Sequence, residues 1–166
     1  ELVGSSSLGK VDLLDKTTGS VRFTPDSNAT GQGSFRYRLY DGAKYSETER
    51  ITVVVNPVND APIVEGSRLT TFRETAVEGT LVASDMDRDS LTFSLESYPA
   101  RGIVQITANS GAFIYTPHAG LEGPDNFSFQ VSDGVLTSGL AIVTIEVAGD
   151  PSLPPTVNAL SFSLLE

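Results

Sequence analysis

Asp85, Asp87 and Asp89 alternate with other residues in the segment Ser84-Asp-Met-Asp-Arg-Asp-Ser90. A loop that curls can turn three carboxylates with this spacing toward one point. Held together they repel one another, and a hard divalent cation relieves the repulsion. Calcium, with about 6–8 oxygen ligands and tolerant geometry, fits better than magnesium. On its own, such a pattern in an acidic chain reads first as a solvated turn. An EF-hand loop begun at Asp85 would place Glu96 at its twelfth position, but Ser90 stands at the sixth, where that loop needs glycine. Leu91–Leu95 also alternates as a strand, so the EF-hand reading fails.

No second constellation carries chemistry. The single histidine, His118, lies beside glycine in an expected loop and reads as a solvated side chain rather than a general base. The chain has no G-x-S-x-G elbow, no H-E-x-x-H pair and no phosphate-binding glycine loop. Gly31, Gly33 and Gly42 read as turn residues. Carboxylate pairs with glycosidase spacing occur in any acidic sandwich and discriminate nothing. No enzyme, no catalytic residue and no organic cofactor is expected.

The formal net charge is −10 and the pI is near 4.4. Nucleic acid and anionic membrane are therefore unsuitable partners, and a divalent cation is a natural one. Acidity for solubility alone is the plainer alternative. With no cysteine, a disulfide framework and a thiolate metal site are both excluded. No apolar stretch approaches the ~18 residues of a membrane span, so no membrane insertion is expected. There is no signal-peptide pattern either, which means little in an internal piece of a longer chain.

The elements that must position the aspartates are announced by a repeat. Ser110–Pro117 (SGAFIYTP) matches Thr18–Pro25 (TGSVRFTP) at an offset of 92 residues. At the same offset Asn126–Gly134 falls on Ser34–Gly42, and Val143–Val147 on Ile51–Val55. Such self-similarity marks a tandem array. It divides the chain into the C-terminal part of a first repeat (1–60), a complete repeat (61–153) and the first strand of a third (154–166), with Glu166 on Glu74. The ends read as cut or proteolysis boundaries.

Short runs of alternating apolar and polar residues between turn residues give the signature of a sandwich or barrel. In the complete repeat the inward residues are expected to be Leu91, Phe93 and Leu95; Ile103 with its neighbours; Phe113 and Tyr115; Phe127, Phe129 and Val131; and Val143, Ile145 and Val147. The partial repeat offers Val21 and Phe23, then Phe35, Tyr37 and Leu39, then Ile51, Val53 and Val55. With a lead strand before Glu74 and another at Leu81–Ala83, seven strands result, which suits a two-sheet Ig-like sandwich. Alternating strand direction then brings three segments to one end: residues 84–90, Asp133 after the sixth strand, and the entering linker with Asn59 and Asp60. This convergence makes calcium the stronger reading. Glu74, Glu122, Asp125 and Asp150 are expected at the other end.

The segments LVASDMDRDSLTF, FIYTP, NFSFQVSDG and VNPVNDAP together resemble the cadherin-like tandem repeats of bacterial surface adhesins. The resemblance covers essentially the whole chain. It implies an all-β, cadherin/Ig-like Greek-key sandwich that binds calcium outside the cell or at its surface, as one segment of a long stalk. By motif, Asp85 and Asp87 match the paired aspartates of a cadherin repeat and Asp133 matches the aspartate after the sixth strand. Asn59 and Asp60 match the linker Asn-Asp, and Glu74 the first-strand glutamate. Pro57 and Ala61 occupy the outer positions of the linker motif and remove two possible ligands. The second linker, Ala148–Pro155, offers only Asp150.

The function expected is a calcium-stiffened stalk or spacer of a large extracellular adhesin. Its partners are neighbouring repeats of the same chain, calcium and, through the strand at 155–166, a second copy in a strand-swapped association. The alternative is a carbohydrate- or protein-binding sandwich of a surface or extracellular matrix protein. Tyr45 and Tyr98 are its candidate contacts, with Tyr98 beside Pro99 expected to pack on the sandwich edge. In a matrix repeat of animal type, the sequons at Asn28 and Asn126 would carry glycans.

Overall fold

The structure is a computed structural model that describes residues 1–149. Asp150 and the expected strand at 154–166 lie outside the described residues. The chain divides into two compact units, the first Glu1–Val58 and the second beginning at Asn59.

In the first unit β1 (Leu2–Val3), β4 (Gly31–Tyr37) and β5 (Glu49–Val55) form one antiparallel sheet in the order β1-β4-β5. The strands β2 (Gly9–Asp15) and β3 (Ser20–Pro25) form a hairpin. Its turn is closed by Asp15, whose Oδ1 accepts from the Thr17 amide at 2.7 Å. Phe35 is the one buried large apolar side chain of this unit, while Leu39 is 64% exposed and Ile51 38%. The inward roles expected for Leu39 and Ile51 are therefore not met. With few strands described in this unit, alternation alone gives these side chains nothing to pack against.

The second unit contains β6 (Ile63–Glu65), β7 (Ser67–Phe72), β8 (Val77–Thr80), β9 (Val82–Ser84), β10 (Thr92–Ser97), β11 (Gly102–Ile106), β12 (Ala112–Pro117), β13 (Gly123–Ser132) and β14 (Ala141–Ala148). Seven strands with the first and second each broken in two account for all nine. One sheet has the order β10-β13-β14-β7 and another the order β11-β12-β8, with β6 paired to β9. The first strand leaves β9 and crosses to β14 at Gly66, where a Cβ would lie 2.6 Å from the Ile142 carbonyl oxygen. Only a residue without a side chain allows that approach. Beyond it, β7 runs parallel to β14, Ser67 opposite Val143 and Phe72 opposite Ala148.

Period-two patterning builds the core between the sheets. Phe127, Phe129 and Val131 of β13 and Val143 and Ile145 of β14 are each 0% exposed. Across from them Phe113 meets Phe127 edge-on, with ring centroids 5.2 Å apart. Such side chains contribute about 1.5–3 kcal/mol each on full burial. One expectation on β11 inverts: Ile103 is 57% exposed, and Val104 is the buried residue. Gly102 sets that parity, because it lies inward against Tyr115, where a Cβ would be 2.5 Å from the ring.

Candidate metal centre

The loop between β9 and β10 carries Asp85, Asp87 and Asp89. One carboxylate oxygen from each lies within 4.8 Å of the others. The curl that brings them together is local. Asp85 Oδ1 accepts from the Asp89 amide at 3.1 Å, and Arg88 takes a left-handed backbone with φ of 67°. Asp87 and Asp89 are exposed, whereas Asp85 is half-buried.

The entering segment meets this loop and also the turn after β13. The Asp60 amide donates to Asp87 Oδ2 at 2.8 Å, and Asn59 Nδ2 donates to Asp133 Oδ2 at 2.8 Å. An amide that donates through nitrogen keeps its oxygen as the acceptor it can offer a cation. Asp133 Oδ1 closes the turn after β13, accepting from the Val135 and Leu136 amides, each at 2.6 Å. The Asn59 hydrogen bond, followed by the two backbone donors, holds the Asp133 carboxyl below its ordinary pKa.

Whether these residues suit a cation is tested by their unmet demand. Asp85 Oδ2 is buried and has no hydrogen-bond partner among the described residues. An ionised oxygen in that position is costly unless something positive faces it. The neighbouring ligand atoms are carboxylate oxygens of Asp87 and Asp89, which is the chemistry of hard cations. The residues present fit calcium.

Asp41 helps to separate turn-making from ligation. It is the counterpart of Asp133 at the 92-residue offset, and its Oδ1 accepts from the Ala43 and Lys44 amides at 2.8 Å each. The aspartate recurs because the turn needs it. What distinguishes Asp133 is the second oxygen, met by Asn59.

Glu74 lies elsewhere. It occupies the turn after β7 with φ of 59°, next to Arg73, whose amide donates to the Ala148 carbonyl. Arg73 also pairs with Glu122 at 3.4 Å, and Arg101 donates to the Glu122 carbonyl oxygen at 2.9 Å. That end is thus supplied with cationic side chains. Asp125, also expected there, is 4% exposed and saturated by the amides of Ala100, Arg101 and Asn126 and by the Tyr115 hydroxyl. It is a structural acceptor rather than a free ligand. The signal was in the repeat: Phe23 and Gly33 replace Tyr115 and Asp125 together in the first copy.

Of the aromatic candidates, Tyr98 is 77% exposed, so it does not pack on the sandwich edge; Pro99 is the buried neighbour. Tyr45 stacks on Tyr40 at 4.8 Å between centroids and lies under the Arg38 guanidinium at 3.7 Å. Tyr40 was not legible as its partner. His118 is exposed, as expected for a solvated loop residue.

A family model described as "Bacterial Ig domain" matches residues 2–54 and 59–146. The chain belongs to the bacterial Ig domain family. The two matched stretches of this bacterial Ig chain follow the two structural units, so its architecture is a tandem of cadherin/Ig-like repeats. Among curated proteins it is similar to the mouse extracellular matrix organizing protein FRAS1, with 31% identity over an alignment covering 78% of this chain. The chain spans 4% of that relative's length. Among solved structures it is similar to human mucin-like protocadherin EC1-2, with a TM-score of 0.56 and 18% identity, covering 90% of this chain and 83% of that one. That likeness speaks for the fold alone. A more distant one to an endo-fucoidan hydrolase of glycoside hydrolase family 107 has a TM-score of 0.43 and covers 23% of the enzyme.

Proposed function

We propose that this chain is a spacer segment of a large extracellular or cell-surface adhesin, stiffened by calcium, with no catalytic role. The observation that carries the reading is the buried Asp85 Oδ2, unpartnered among the described residues, within the carboxylate cluster of Asp85, Asp87 and Asp89; the entering segment joins it through the Asp60 amide on Asp87 and reaches Asp133 through Asn59. The resemblance of the linker and DxD segments to cadherin-like repeats supports it, and a relative named as a matrix-organizing protein supports an extracellular setting.

Asn59 and Asp60 are the chain's entry into the second unit, and they contact loops that follow β9 and β13. An ion shared among them would tie the entering segment to both loops, and in a tandem array this would limit hinge motion between repeats. Bound ion also stabilises by mass action, about 2.7 kcal/mol at a hundredfold excess over Kd. With a Kd of about 10⁻⁴–10⁻³ M, the range of extracellular modules, the array would stiffen outside the cell. We keep Glu74 as a residue of a second, weaker site, opposed by Arg73 and Arg101, with Asp150, outside the described residues, as the other ligand named from the sequence. Calorimetric titration with calcium, joined to thermal unfolding with and without chelator, tests the reading. Heat of binding and a calcium-dependent rise in unfolding temperature are expected; no heat and an unmoved transition would leave the cluster a solvated turn.

A further inference from the structure

The net charge is not spread evenly along the chain. Residues 1–58 carry seven basic and seven acidic side chains, so the whole of the −10 falls on the rest. In the first unit basic groups also gather on one face. Burial of Gly33 and Phe35 turns Ser34 and Arg36 of β4 to the outer face of the sheet β1-β4-β5. Register sets Thr52 and Arg50 of β5 beside them, with Arg36 directly opposite Arg50. Side chains so placed have Cβ atoms about 4.5–5.5 Å apart, and like charges there cost stability. Both arginines are exposed, and among the described residues neither guanidinium has an ion-pair partner.

The second unit does without this pair. At the 92-residue offset Ser128 and Ile142 replace Arg36 and Arg50, and they too are register partners. Ile142 is 55% exposed, so the corresponding face of the second unit is open to solvent. A face, unlike an edge, does not depend on which strands flank it in the plane of the sheet. The fold itself therefore does not require the arginines. Next to them the same face carries a second kind of contact. The Arg38 amide donates to the Glu1 carbonyl at 3.0 Å, which continues the β1–β4 register and places Arg38 on the face of Arg36. Its guanidinium donates to Glu1 Oε2 at 2.8 and 2.9 Å and covers the Tyr45 ring. Tyr40, whose hydroxyl donates to the Gly42 carbonyl at 2.8 Å, stands beside Tyr45. Both rings are more than half exposed. Glu1 is committed to Arg38, and Glu49, opposite Tyr37, lies on the other face. Arg36 and Arg50 are left to solvent.

We propose that this face binds an anionic polysaccharide, with Arg36 and Arg50 taking its sulfate or carboxylate groups and the exposed rings of Tyr40 and Tyr45 taking the apolar face of a sugar ring. A guanidinium meets such an oxyanion through two parallel N–H donors, which a lysine cannot offer. An acidic peptide would answer the arginines alone. A sugar polymer sets apolar ring faces and acid groups side by side, and answers both features. Repulsion from the acidic second unit is largely screened beyond about 8 Å at physiological ionic strength. Binding of this kind would add a ligand to a segment whose proposed role is spacing, and it stands independently of calcium. Chelator in every titration keeps a cation from bridging the polymer to the aspartate loop.

Titration calorimetry of the whole chain at low salt, with heparin, polygalacturonate, dextran and polyglutamate as probes, tests the proposal. Saturable binding of heparin or polygalacturonate is expected, the tighter of the two naming the acid group, with no binding of neutral dextran. Arg36→Ser and Arg50→Ile, which copy the second unit, should each weaken binding about tenfold, the scale of a lost hydrogen bond to a charged group. Tyr45→Ala should weaken it less. Arg22→Ser, an equal change of charge at an exposed position of β3, should leave it unchanged. Without ligand, Arg50→Ile should leave thermal unfolding unmoved or raise its midpoint, because it removes a like-charge pair; this separates lost binding from lost folding. Failure to bind either anionic polysaccharide, an equal loss from Arg22→Ser, or polyglutamate bound as tightly as the polysaccharide overturns the proposal.

Discussion

The Tyr115 hydroxyl donates to Asp125 Oδ2 at 2.8 Å in the interior of the second unit, where Tyr115 is 0% and Asp125 4% exposed. The same carboxylate gathers the amides of Ala100 and Arg101, so it joins the turn before β11 to β12 and β13. In the first copy the matching residues are Phe23 and Gly33, and Leu8 fills the space that Gly33 leaves, 3.0 Å from where a Cβ would stand. Hydroxyl and carboxylate are lost together, which avoids stranding either one.

Their coupling is measurable. Tyr115→Phe removes one of several donors to Asp125 and should cost about 1 kcal/mol. Asp125→Gly takes the acceptor from a buried hydroxyl and three amides, and should cost about 3–5 kcal/mol. The double variant, which copies the first repeat, should cost less than the sum by more than 0.5 kcal/mol, on the order expected for contacting residues. Denaturant unfolding of the four proteins reads the cycle, and strict additivity would refute the coupling.

The same pair sets an alkaline limit. Burial first, and then the Asp125 hydrogen bond and charge, raise the Tyr115 pKa well above its ordinary value. A group with a raised folded pKa contributes stability below its unfolded pKa, about 10, and that contribution fades as pH climbs beyond it. Stability should therefore fall above about pH 10, and Tyr115→Phe should flatten the fall. Equal slopes for both proteins in denaturant titrations between neutral and alkaline pH would count against it.

At the acidic end Asp133 and Asp41 report on the site and its turn. Both carboxyls are held below the ordinary value, Asp41 by the Lys44 and Ala43 amides and Asp133 first by Asn59. Such groups contribute stability above the unfolded pKa, about 3.9 for aspartate, and lose it as pH falls through the lower folded value. Carboxyl NMR titration should show Asn59→Ala raising the Asp133 pKa while Asp41 stays in place. Parallel movement of both would mean that the turn, not Asn59, governs Asp133.

Calcium affinity should rest on the loop between β9 and β10. Asp87→Ala removes formal charge from the cluster and should weaken binding at least tenfold, about 1.4 kcal/mol. Without calcium, relief of repulsion opposes the loss of the exposed Asp60 amide bond to Asp87. Stability should then stay within about 0.5 kcal/mol of wild type. His118→Ala should change neither quantity. Titration calorimetry and chelator-dependent unfolding check all three, and an Asp87→Ala affinity equal to wild type would remove this loop from the site.

The sequence by itself determined the repeat, the all-β class and most of the core of the second unit. Period-two patterning and self-similarity are properties of the chain alone, and Phe127, Phe129, Val143 and Ile145 needed no partner to be recognised as inward. The aspartate spacing and the linker Asn-Asp were legible for the same reason, and strand parity was enough to bring them to one end. Tertiary structure decided what alternation leaves open. It turned Ile103 outward because Gly102 must lie against Tyr115, and it buried Asp125 against a hydroxyl ten residues away. It also left Asp85 Oδ2 without a partner among the described residues. Those outcomes depend on which groups meet across sheets and loops. A carboxylate's partners, and a strand's second neighbour, are set by the packing of distant segments rather than by the residues beside them in sequence.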